Sequence, residues 1–169
     1  ASHVQGLRSA NAAFFGEAYG QLVLSGEISR INEAISLAKE RGIRAAKPLN
    51  VAGAYHSRLM RPAAAQLGAV LAEATFHEPH CLVFANVNAA PVSDAAEIRR
   101  TLEEQVSGSV RWTQTLENLV DNEHCDLFLE LGPGGVLAGL LQRTRKGTAC
   151  VSVTDMASLT AAAEAIKAS

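Results

Sequence analysis

Short apolar runs alternate along this chain with stretches whose apolar residues recur every three to four positions. Residues 1–18 show neither period and read as irregular. Gln21-Leu22-Val23-Leu24-Ser25, bounded by Gly20 and Gly26, reads as a strand. Ile28, Ile31, Ile35 and Ala38 follow at helical spacing, and Gly42 is placed to end that helix. Residues 43–51 read as extended, with Pro48 suited to an edge because it has no N–H for a ladder. A second helix starts at Pro62, with Ala63, Leu67, Val70, Leu71 and Ala74 on one face. Residues 81–85 read as a buried strand. Asp94 and Glu97 stand at capping-box spacing before Ile98, Leu102 and Val106, and Gly108 interrupts this helix. Trp112, Leu116, Leu119 and Val120 make another helical stripe.

Residues 126–131 form a near-continuous apolar strand, of the kind covered on both faces in a parallel sheet. Gly132-Pro133-Gly134-Gly135 turns into a helix with Val136, Leu137, Leu140 and Leu141 inward. Residues 149–153 are a last strand, and Asp155 caps a final helix with Leu159, Ala163 and Ile166 facing in. Strands alternating with helices predict an α/β domain with a mainly parallel sheet.

Composition narrows the class without naming a chemistry. The 169 residues suffice for one domain with a sizeable core. A formal net charge of −2, with basic residues scattered, gives no electrostatic reason to expect nucleic acid. No apolar run approaches the roughly 18 residues of a membrane span. The first six residues lack the charged head and apolar core of a signal peptide. Cys81, Cys125 and Cys150 are odd in number and lie in or beside apolar runs, which reads as reduced, mostly buried thiols of a cytosolic protein.

Candidate chemistry centres on His56, which sits between a strand-like run that breaks at Gly53 and the helix at Pro62. Imidazole is a general base by type, and a hydrogen-bonded structural histidine is the alternative. A histidine base needs a nucleophile, commonly on a Gly-x-Ser-x-Gly turn, and these 169 residues contain none. Ser57 is adjacent, but neighbouring side chains do not face each other as a Ser–His pair requires. Arg58 and Arg61 flank His56 and are either solvated surface or contacts to phosphates or an acidic partner. Gln105 lies at the end of its helical stripe, where backbone carbonyls are exposed and able to accept from an imidazole N–H. Spacing alone does not bring it to His56. His77-Glu78-Pro79-His80 has two imidazoles, but Pro79 opposes the helix that a metal pair needs, so it reads as a polar loop. The turn at 132–135 follows a strand and opens a helix as phosphate cradles do. It lacks the Walker lysine and the dinucleotide fingerprint, and reads better as a tight turn.

Four stretches together resemble one family. Gly53-Ala54-Tyr55-His56-Ser57-Arg58-Leu59-Met60-Arg61-Pro62-Ala63 looks like the active-site histidine motif of the malonyl-CoA:acyl carrier protein transacylases. Residues 20–26 resemble the strand of that family's ferredoxin-like small subdomain. Gln105 followed by Val110-Arg111-Trp112 resembles the segment that orients the histidine. Glu130 to Leu137 resembles its glycine-rich turn. The resemblance covers the chain from about residue 18 and matches only the C-terminal portion of the family. It implies residues 19–51 in part of a ferredoxin-like lobe and 52–169 in a hydrolase-like core, with 1–18 poorly matched.

The implied reaction is ping-pong transfer of malonyl from coenzyme A, through a serine, to the phosphopantetheine thiol of acyl carrier protein. By resemblance His56 is the general base and acid, and the Gln105 backbone carbonyl orients it. Tyr55, Arg58 and Arg61 line the substrate side, and Tyr55, a bulky ring, favours malonyl over branched acyl groups. The serine elbow and the carboxylate-binding arginine belong to the family's other portion. They are expected on a second chain or a cleaved segment, without which this chain is inactive and not a stable monomer. Malonyl-CoA is a substrate, with no cofactor, metal, nucleic acid or membrane implied, and the location is cytoplasmic. The alternative function is a non-catalytic acyltransferase-like module that binds acyl carrier protein or a synthase subunit, with Lys47, Arg58 and Arg61 as contacts.

Overall fold

The computed structural model describes residues 13–18, 21–43 and 45–168. These fall into two compact units: one holds 13–17 and 22–111, the other 18, 21 and 112–168. The break comes between two helices at 111/112.

Strand β1 (Ala13–Ala18) pairs with β2 (Gln21–Ser25). This corrects the irregular segment expected over 1–18, of which 1–12 lie outside the described residues. Adjacent Phe14 and Phe15 break the period of two, and Gly16 weakens strand propensity, so the strand is masked in the sequence. Helix α1 (Ile28–Glu40) ends where Gly42 predicts. Gly42 takes φ 80°, its N–H donates to the Lys39 carbonyl, and the Ile43 N–H reaches back to Ala38. This is the paired closure that a residue free to adopt positive φ permits. The inward residues of α1 are Ala34 and Ala38, whereas Ile28 is exposed. No strand forms over 45–51, correcting the extended reading, and Leu49 and Val51 stand exposed.

A 3-10 turn (Arg58–Met60) leads into α2 (Arg61–Glu73), with Pro62 at its second position. Strands β3 (Val83–Ala85) and β4 (Ala90–Val92) form an antiparallel pair with Val83 opposite Val92 and Ala85 opposite Ala90. The strand expected over 81–85 is thus shorter than its apolar run, and Cys81, Leu82 and Val83 are exposed. Cys81 is not the buried thiol expected, while Cys125 and Cys150 are half-buried. Burial, reinforced by the Glu130 carboxylate, pushes the Cys150 thiol up and keeps it in the unreactive form.

Helix α3 (Ala95–Ser107) begins at Asp94, whose carboxylate accepts the Glu97 N–H at 2.8 Å. The reciprocal bond to the Glu97 carboxylate comes from the Ser93 N–H, one residue earlier than a capping box supplies it. Arg99 of α3 donates to the Leu71 and Ala74 carbonyls at the end of α2 and lies 5.0 Å from the Phe76 ring centroid. One side chain thereby satisfies the Ala74 carbonyl, gives the Leu71 carbonyl a second donor beside the Ala74 N–H, and ties α2 to α3.

The second unit contains α4 (Trp112–Asp121), β5 (Leu127–Leu131), α5 (Val136–Thr144), β6 (Ala149–Val153) and α6 (Met156–Ala168). Strands β5 and β6 run parallel with Leu127 opposite Ala149 and Leu131 opposite Val153. The class is α/β, as expected, and the described strands form three two-stranded sheets. Leu116, Leu141 and Ala162 are the buried apolar residues here. Leu129 and Leu131 are exposed, so β5 is not covered on both faces, and Val136, Leu137, Leu159 and Ile166 also point outward where an inward stripe was expected. Among the described residues no helix is long and apolar enough to cross a membrane.

Two carboxylates lock helix starts in this unit. Glu130 accepts from the Leu137 and Ala138 N–H groups at 2.8 and 3.3 Å and from the Ser152 hydroxyl at 3.0 Å. The Leu137 N–H is the largest influence holding its carboxyl below the ordinary range. Asp155 caps α6 through the Ser158 N–H at 2.8 Å, and this bond likewise holds its carboxyl down. A depressed folded-state pKa contributes stability above the unfolded value and loses it as pH falls through the folded one. The urea midpoint of this unit is therefore expected to drop as pH falls from about 5 towards 3. The double variant Glu130→Gln, Asp155→Asn should show a flatter dependence; an unchanged slope would remove these two groups as the cause.

Candidate active site

The site is built on the segment 53–61 and the C-terminal end of α3. After Gly53 the chain makes a turn in which His56 takes φ 59°, a left-handed conformation that a β-carbon disfavours by roughly 1 kcal/mol or more. Two successive carbonyls at the end of α3 hold it there. The His56 N–H donates to the Val106 carbonyl at 3.1 Å. The ring Nδ1 lies 2.8 Å from the Gln105 carbonyl oxygen. A carbonyl only accepts, so Nδ1 carries the hydrogen and the neutral ring has its lone pair on Nε2. The helix thus spends two of its open carbonyls on one residue.

The Gln105 side chain fits the same assignment. Its amide nitrogen lies 3.4 Å from Nδ1, a contact between two donors. Its hydrogens go instead to the Gly108 carbonyl at 3.1 Å and the Ser109 carbonyl at 3.5 Å. These bonds close the chain over the end of α3. Gly108 is packed so tightly that a β-carbon there would sit 2.7 Å from the Glu104 carbonyl oxygen and from Val87. A side chain at 108 would have to displace the turn that presents Gln105.

The other candidate residues are placed as follows. Tyr55 is half exposed with its ring over Gly53, where a β-carbon would meet the ring at 3.5 Å. Arg58 lies 3.5 Å from the Glu27 carboxylate, both side chains about half exposed, a pairing worth about 0–1 kcal/mol. Its charge is already met by a neighbour that the sequence did not pair with it. Arg61 is the first residue of α2, exposed, with no ion pair among the described residues. Lys47 is exposed. Ser57, which its position argued against as a nucleophile, is 1% exposed, and its hydroxyl donates to the Ala54 carbonyl at 2.7 Å.

The glycine-rich turn belongs to the second unit. Gly132, Gly134 and Gly135 take φ of 119°, 133° and 78°, values open to glycine at little cost, and α5 starts directly after them. The amides that would cradle a phosphate at this helix start are occupied by the Glu130 carboxylate. An anion arriving there would meet negative charge, which disfavours nucleotide binding. His77 and His80 take part in no cluster of three or more potential metal ligands among the described residues.

No protein-family model matches the chain. The malonyl CoA-acyl carrier protein transacylase of Bacillus subtilis (strain 168) is 35% identical over 148 residues, 88% of this chain and 46% of that protein. Among solved structures, an acyl-carrier-protein-S-malonyltransferase from Bartonella henselae superposes with TM-score 0.93 at 30% identity, over 98% of this chain and 55% of that one. The chain corresponds to the C-terminal part of the malonyl CoA-acyl carrier protein transacylase family. It spans about half the length of the relatives it matches. A malonyl-transacylase solved together with its type II PKS acyl-carrier protein is also similar, with TM-score 0.89 and 32% identity over 95% of this chain and 55% of that one.

The resemblance paired His56 with the Gln105 carbonyl, and the structure brings the two together. The Val106 carbonyl, the Glu27 partner of Arg58 and the buried Ser57 hydroxyl were missed. Only Ser57 left a local signal, as a hydroxyl residue preceding a short helical turn.

Proposed function

We propose that this chain supplies the histidine half of a malonyl-CoA:acyl carrier protein transacylase. The observation that carries the proposal is the 2.8 Å bond from His56 Nδ1–H to the Gln105 carbonyl, in a chain similar over nearly its whole length to malonyltransferases. That bond leaves Nε2 as the basic atom. A fixed tautomer and ring orientation are what a histidine base in acyl transfer requires, and here a backbone carbonyl does what a carboxylate does in a Ser-His-Asp triad.

The serine hydroxyl comes from a segment outside these 169 residues. In the first half-reaction Nε2 takes the serine proton as the oxygen attacks the malonyl thioester. The C–S bond breaks, and the imidazolium returns the proton to the departing coenzyme A thiolate. In the second, Nε2 takes the proton of the phosphopantetheine thiol. Its sulfur attacks the serine ester, and the serine oxygen leaves with that proton. Arg61 at the start of α2 and exposed Lys47 are positioned for an acidic carrier protein. Arg58 contributes less, because Glu27 already engages it. A coenzyme A thioester as donor and a carrier protein as acceptor fit a cytoplasmic reaction.

A second reading is a module that binds carrier protein without catalysis. It draws on the same absence of a Gly-x-Ser-x-Gly turn within the 169 residues. The full protein, supplied with the polypeptide carrying the serine if that is separate, is to be incubated with malonyl-CoA and carrier protein. Intact mass measurement is expected to show a malonylated carrier protein and a transient acyl adduct on the serine. Carrier protein that binds but is never malonylated would overturn the transferase reading in favour of the module.

A further inference from the structure

We infer that Ser57 is a positioning residue for His56, and that its buried hydroxyl holds the imidazole in its working tautomer by bracing the turn on both sides of it. The inference rests on the proposed role of His56 as base. Its geometric content, control of ring tautomer, stands apart from that role.

His56 is not glycine or asparagine, yet it takes φ 59°. Such a conformation persists only where the surroundings over-determine it. The end of α3 supplies one set of constraints, through the bonds to Gln105 and Val106. Those bonds act across 49 and 50 positions in sequence and fix the ring only if residues 54–59 already have the right shape. Ser57 sets that shape. Its hydroxyl donates to the Ala54 carbonyl at 2.7 Å and accepts the Leu59 N–H at 3.3 Å, so one oxygen joins the chain before His56 to the chain after it. The Ser57 carbonyl accepts the Met60 N–H at 2.9 Å and starts the 3-10 turn. At 1% exposure the hydroxyl has no access to water as a substitute partner. Its loss therefore leaves the Ala54 carbonyl and the Leu59 N–H to find other bonds, which they do by reshaping the turn. Alanine at 57 keeps the volume nearly intact while removing both bonds.

A purely structural serine would affect stability and leave the ring alone. A positioning serine alters the ring in the folded protein. The test uses the full protein with 15N-labelled histidine, the His56 signals being identified by difference from His56→Gln. Wild type is expected to show His56 as the Nδ1–H tautomer. In Ser57→Ala the ring nitrogen shifts are expected to move towards a mixture of tautomers. Transfer is expected to lose about ten- to a hundredfold in kcat, with KM for malonyl-CoA changed less than threefold. Ser57→Thr, which keeps the hydroxyl, is expected to restore the wild-type tautomer and most of kcat. It also serves if the alanine variant fails to fold. Wild-type ring shifts in folded Ser57→Ala, or a mixed tautomer in folded Ser57→Thr, would overturn the inference. If transfer is absent from wild type too, the transferase reading fails, while the ring shifts still decide the role of Ser57.

Discussion

His56→Ala is expected to lower malonyl transfer by about 10²- to 10⁴-fold in kcat, the range that positioned proton transfer contributes. This corresponds to about 3 to 5 kcal/mol of transition-state stabilisation. Under the proposed mechanism the effect should fall on kcat, because the ring would act on a proton that moves in the transition state. Alanine at this position inherits the φ of 59° with the backbone bond to Val106 but without the ring's bond to Gln105, so a loss of fold must be separated from a loss of chemistry. His56→Asn makes that separation. Asparagine tolerates the left-handed region, retains a donor within reach of the α3 carbonyls, and cannot act as a base near neutral pH. Both variants should be inactive, and the asparagine variant should melt near the wild type. Transfer within a few-fold of wild type in either variant would sink the role of His56.

Leu116→Ala should cost about 3 to 5 kcal/mol, the range for a fully buried leucine whose surroundings do not collapse into the space. Leu116 is 2% exposed and lies in α4, and among the described residues its unit buries only one other large apolar side chain, Leu141. With so few large residues inside, each carries an unusual share of the burial, and little nearby can move to fill a gap. Urea denaturation followed by circular dichroism reads the result as a lowered midpoint at constant slope. Val136→Ala, at a position 66% exposed in the same unit, is the comparison and should cost less than about 1 kcal/mol. Equal losses at 116 and 136 would show that this unit has no specific core at Leu116.

Element ends were the most legible part of the fold, because they are written in local chemistry. Gly42, Asp94, Asp155 and Pro62 each act within a few residues of themselves, and each ends or starts a helix where the sequence places it. Which face of an element is buried depends on what packs against it, and there the apolar pattern misled. Val70 and Ile166 lie on apolar stripes yet face outward, while the small residues Ala34, Ala64 and Ala162 are buried. The strand at 13–18 escaped notice because adjacent phenylalanines conceal the alternation. Residues 45–51 looked extended, but among the described residues no strand pairs with them. Glu130 was visible in the glycine-rich stretch only as part of a motif; that its carboxylate closes the following helix depends on the chain folding back by seven residues.

The site divides along the same line. His56 was legible as a residue type beside a turn. Its meeting with Gln105 joins positions 49 apart, and no periodicity carries information over that distance. The resemblance named both residues, but the left-handed backbone at His56, the second carbonyl from Val106 and the bracing by Ser57 are properties of the folded chain.

The two carbonyls that hold His56 belong to adjacent residues in the last turn of α3. Helix ends open locally far more often than the protein unfolds. Each such opening releases the backbone amide of His56 and the imidazole together. The amide's exchange with deuterated solvent is thus a clock for the ring, counting how often the imidazole loses its orientation without any substrate present.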